Sequence, residues 1–113
     1  MSSGTWRKYD APRDLFLVIS REVDASVDRT PYHGPHLDWL NAGHDSERIL
    51  LSGPSRDRAL GIYVVRAASA DAAREYVGTD PYHSAGIRTF DLIEWEMQRR
   101  SLTPGLAAPA DLP

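Results

Sequence analysis

Apolar residues cluster in short runs separated by charged turns, and their spacing alternates between strand and helix periods. LFLVIS, at 15–20, is a compact run of strand-favouring residues and predicts a buried first strand over 14–20. Charged and polar residues from Arg21 to Arg29 predict a loop. Pro31, Gly34 and Pro35 weaken the start of the next segment, so its regular helical part is expected over 35–43, with Leu37 and Leu40 on one inward face and His36 bordering the core. Two strands follow, over 47–53 and 60–67, joined by the turn GPSRDR as an antiparallel hairpin. Ser69 is a helix cap, Asp71 adds a carboxylate in the first turn, and Ala73 and Val77 share a face, which predicts a second helix over 69–78 ending at Gly78. TFDLIEW then predicts a last strand over 88–96.

The order strand–helix–strand–strand–helix–strand predicts an α+β, ferredoxin-like β-α-β-β-α-β sandwich with two helices on one face of an antiparallel sheet. The other face lacks cover within the chain, so a homodimer is expected. Residues 1–13 read as a flexible lead-in, 14–98 as the folded domain and 99–113 as a Pro- and Ala-rich tail without aromatics. The length of 113 residues suits one such domain.

Composition narrows the function classes. A net charge of −3 offers no basic footprint for nucleic acid. No apolar run is long enough to cross a bilayer, so no membrane partner is expected. The opening MSSGTWRKYDAPRD holds no signal-peptide core, which makes a cytoplasmic location the expectation. Cysteine is absent, which removes disulfides, thiol nucleophiles and thiolate metal sites.

Chemistry therefore falls to histidine and carboxylate. His33 and His36 stand three apart, but the intervening Gly34 and Pro35 break the fixed spacing a metal site needs, and no third ligand is identifiable, so neither metal nor cofactor is expected. No phosphate loop, nucleophile elbow or dinucleotide fingerprint occurs. His36 with Asp80 forms a candidate acid/base pair, since imidazole exchanges protons near neutral pH and a carboxylate orients the ring and stabilises its charged form. The plainer alternatives are a half-buried helix histidine and an aspartate that starts a turn or caps a helix before Pro81. Trp39 and Tyr82 are candidates to line an aromatic substrate pocket, Gly53 and Pro54 its edge, Arg56 and Arg58 its attraction for anions, and His83 a further polar contact.

HLDWL at 36–40, Gly43, LLSGP at 50–54, GIYVVRAAS at 61–69, AAREYVGTDPY at 72–82 and AGI at 85–87 together resemble the YciI-like (YCII-related domain) family. The resemblance implies a dimeric ferredoxin-like α+β barrel with His36 and Asp80 as its catalytic pair. Some relatives are similar to dehydrochlorinases of chlorinated aromatic compounds. The resemblance thus points to a small-molecule lyase or isomerase acting on a cyclic acidic or phenolic substrate; the alternative is a non-catalytic ligand-binding or accessory dimer. The segment 21–35 and the tail after Trp95 depart from the family pattern.

Overall fold

The computed structural model describes residues 14–97; the expected lead-in and tail lie outside them. The elements run β1 (Leu15–Glu22), α1 (Thr30–Asp45), β2 (Ile49–Pro54), β3 (Leu60–Arg66), α2 (Ala70–Gly78), α3 (Pro81–Ser84) and β4 (Arg88–Trp95). The four strands form one antiparallel sheet in the order β2-β3-β1-β4, the ferredoxin-like topology expected from the pattern of apolar runs.

The sheet is open, which corrects the expected α+β barrel, dimeric or otherwise. Its edges are β2 and β4, separated by two strands and not hydrogen-bonded to each other. Closure needs edge-to-edge pairing, and the smallest common barrels use about eight strands. The family resemblance suggested a closure that four strands do not make.

Side-chain alternation decides what each sheet face carries. Phe16 and Val18 of β1, Tyr63 and Val65 of β3 and Ile49 of β2 bury against Ala73 and Val77 of α2, with Trp39 and Leu40 of α1 packed on this cluster. Gly43 lets α1 approach the sheet closely: a Cβ there would collide with the Ile49 side chain and the Tyr76 hydroxyl. On the other face Leu51, Val64, Leu17 and Ile93 stand in register across all four strands.

Several boundaries differ from the expected ones, and one short helix is added. α1 begins at Thr30, five residues early, because Pro31 falls at the first helical positions where its missing N–H is no loss, and the Asp28 carboxylate accepts the Thr30 N–H at 2.9 Å. Pro35 is carried inside the helix. β2 continues through Gly53 and Pro54, paired with Ile62 and Gly61, as an edge strand can because one side needs no donor. The extra one-turn helix α3 starts at Asp80, whose side chain accepts the Tyr82 N–H at 3.0 Å. Among the described residues no helix is long and apolar enough to cross a membrane.

Candidate active site

The helix-side face of the sheet does not pack completely. Where β1 and β3 reach Ser20 and Gly61, the inward side chains become small, and α1 spans a cavity of about 550 Å³. That lies within the range of small-molecule pockets. Its wall includes His33, His36 and Leu37 of α1, Gly53 and Pro54 of β2, Tyr63 of β3, Tyr82 of α3, Arg88 of β4 and Arg58 of the hairpin.

His36 and Asp80 meet here. Asp80 is 1% exposed, and both of its carboxylate oxygens face His36 Nδ1, at 2.8 and 2.9 Å. A carboxylate can only accept, so the imidazole proton sits on Nδ1 and the neutral ring leaves Nε2 without one. No protein group among the described residues hydrogen-bonds Nε2. The Tyr82 ring stacks on the imidazole, with centroids 4.3 Å apart, and its hydroxyl hydrogen-bonds His33 Nδ1 at 2.8 Å. Burial pushes the Tyr82 phenol above its ordinary pKa, so the hydroxyl stays protonated near neutrality. One short sequence, Asp80-Pro81-Tyr82, thus caps α3, clamps His36 and covers one face of its ring.

The remaining sequence-derived candidates divide. Gly53, Pro54, Arg58 and Tyr82 line the cavity; Trp39, Arg56 and His83 are not among its lining residues. Trp39 instead stacks on Tyr76 at 4.8 Å and donates from Nε1 to Thr79 Oγ1 at 3.0 Å, between α1 and α2. His83 lies behind the wall, its Nδ1 donating to the Val77 carbonyl at 2.8 Å and its Nε2 2.7 Å from Ser20 Oγ. Burial lowers its pKa more than the Val77 carbonyl and Asp80 raise it, so it is neutral at physiological pH. Arg29 of the α1 approach also lines the cavity and pairs with Glu22, which does not line it, at 3.0 Å. Among the described residues no Asp or Glu lines the cavity, whereas three arginines do.

Sequence reasoning missed Ser20, Tyr63 and Arg88. The signal was present in phase: Arg88 stands two before Phe90 and four before Leu92, on their face of β4, and Ser20 follows Phe16 and Val18 on the inward face of β1. Polar residues at inward positions mark a place where the core stops being apolar. Among the described residues, no group of three or more His, Asp or Glu side chains is placed to hold a metal ion.

The model of the YCII-related domain family matches residues 15–96. The uncharacterized protein YjpA of Bacillus subtilis (strain 168) is 28% identical over 64 residues, which is 57% of this chain and 75% of that protein. Among solved structures, 5-chloro-2-hydroxyhydroquinone dehydrochlorinase from Burkholderia phenoliruptrix, in complex with 2,5-dihydroxybenzoquinone, aligns with a TM-score of 0.60 and 23% identity over 72% of this chain and 92% of that one. That likeness is one of fold.

Proposed function

The chain belongs to the YCII-related domain family, and we propose that its cavity is the active site of a lyase or isomerase acting on a small cyclic acidic or phenolic substrate. The observation that carries the reading is the division of labour on one imidazole. His36 Nδ1 is held by the buried Asp80 carboxylate, while Nε2, on a cavity-lining side chain 16% exposed, has no hydrogen-bond partner among the described residues. That is the arrangement of an oriented general base.

In the proposed reaction His36 Nε2 takes a proton from a substrate carbon or hydroxyl, and the freed electron pair moves into the neighbouring bond. In an elimination that pair displaces a leaving group. In an isomerisation the imidazolium returns its proton at another atom. Asp80 stabilises the imidazolium in between, at a site where burial strengthens the interaction. Gly53, Pro54, Arg58 and Tyr82 would contact the substrate. The fold shared with a dehydrochlorinase of a chlorinated hydroxyhydroquinone supports a cyclic substrate and an elimination.

We also propose a homodimer formed through the open sheet face, on which Leu51, Ile62, Ile93 and Trp95 remain 37 to 44% exposed. The function is tested by following proton release and product formation across a panel of cyclic carboxylic acids, phenols and their halogenated forms. Catalysed conversion of at least one class is the expected result. Saturable binding across the panel with no conversion of any member would favour a ligand-binding protein instead.

A further inference from the structure

This inference rests on the reading of the cavity as a substrate site and concerns its cationic wall rather than its histidine. Arg88 is 7% exposed. A buried guanidinium normally requires a counter-charge. Among the described residues none is in contact with it: its hydrogen bonds run from Nε to Ser20 Oγ, at 2.9 Å, and from Nη2 to the Ser20 carbonyl, at 2.7 Å. Asp80, the one buried carboxylate among these residues, directs its oxygens to His36 and the Tyr82 N–H.

The protons behind Arg88 can be placed one by one. The Val77 carbonyl only accepts, so His83 carries its proton on Nδ1 and presents a bare Nε2. Ser20 must then donate its hydroxyl proton to Nε2. The Ser20 lone pairs are left to accept from Arg88 Nε. This chain of one polarity fastens the side edge of the guanidinium, made of Nε and Nη2. The end edge, formed by Nη1 and the second proton of Nη2, is left without a protein acceptor among the described residues.

That wall of the cavity also holds an unsatisfied donor. Tyr63 is 3% exposed, lines the cavity on the same sheet face, and its hydroxyl has no hydrogen-bond partner among the described residues. Burial and the nearby Asp80 charge raise its pKa, so the phenol keeps its proton. Gly61 lies beside the guanidinium: a Cβ there would stand 3.7 Å from Ser20 Cβ and 3.9 Å from Arg88 Nη2, so the glycine leaves this part of the floor bare of side chain.

We propose that Arg88, aided by the Tyr63 hydroxyl, anchors a carboxylate group of the substrate. The end edge of a guanidinium is a planar fork that matches two coplanar oxygens, whereas a phenolate offers one. Anchor and base both stand near one ring, with His36 stacked on Tyr82 at 4.3 Å and Arg88 Cζ 5.9 Å from its centroid. A compact cyclic acid can therefore hold its carboxylate on Arg88 while its reacting atoms face His36. This selects carboxylic acids from the broader acidic or phenolic class.

Calorimetric titration of the full chain with para-nitrobenzoate, para-nitrophenolate and uncharged para-nitrobenzamide, at a mildly alkaline pH where the first two are ionised, tests the anchor. The carboxylate should bind at least about tenfold more tightly than either analogue. Arg88→Lys keeps the charge but loses the fork, and should weaken carboxylate binding by about tenfold or more in a folded protein. Should that variant not fold, the assigned Arg88 side-chain nitrogen resonances of the parent take its place, and they should move as the carboxylate saturates. Equal affinity for acid and amide, tighter binding of the phenolate, unaltered affinity in folded Arg88→Lys, or stationary Arg88 resonances would each overturn the proposal, as would absence of saturable carboxylate binding. Binding is read without turnover, so a failure here leaves proton transfer by His36 standing, and the converse also holds.

Discussion

Asp80 shows how one residue can satisfy a local and a long-range demand together. Its two oxygens hold a helix N-terminus and an imidazole from a different helix. Each residue was conspicuous in the sequence, an aspartate before Pro-Tyr and a histidine in the first helix, but that the two meet was implied only by the family resemblance. Arg88 was passed over because a charge at the start of an apolar run reads as the edge of a strand, although its phase with Phe90 and Leu92 places it on their inward face. Trp39 was assigned to the pocket by residue type, but aromatic packing against Tyr76 holds it between the helices. His83 carries a prediction of its own. Its folded pKa is lowered, chiefly by burial, so on acidification the unfolded chain binds the proton first. Stability contributed by neutral His83 is complete above the unfolded value of 6.5 and declines as pH falls below it, until the lower folded value is passed. Urea midpoints measured through mildly acidic pH should fall in the parent and flatten in His83→Gln; parallel profiles would contradict this.

At the scale of elements, the strands were readable because LFLVIS and GIYVV are short apolar runs bounded by turn residues. The second helix was readable from Ser69, which accepts the Ala72 N–H at 3.1 Å. α1 was only half readable. Pro31 and Pro35 argue locally against helix, and its inward face is interrupted by His33 and His36 because that face borders a cavity rather than a core. The close approach of α1 to the sheet depends on Gly43, where a methyl group would press on Ile49 and Tyr76. Gly43→Ala should therefore destabilise the fold by about 1–3 kcal/mol through overpacking, measured by chemical denaturation. A gain in stability would show that the contact relaxes freely.

For the whole molecule, two faces of one sheet have different duties: one carries a core and a cavity, the other an apolar row with no cover among the described residues. Sedimentation at micromolar concentration should give twice the monomer mass, and Ile93→Lys with Leu51→Lys should shift the species to monomer. A persistent monomer in the parent would remove the proposed homodimer. The topology could be read from the alternation of elements, but the open sheet could not, because closure depends on whether two edges meet and no residue pattern reports that. The central claim is that this molecule moves a proton with His36 under the control of Asp80. The most direct measurement compares initial rates of His36→Ala and the parent on a substrate the parent converts, with matched circular dichroism and sedimentation. The expected result is a loss of about 100-fold to 10,000-fold in turnover; turnover near that of the parent would contradict the account.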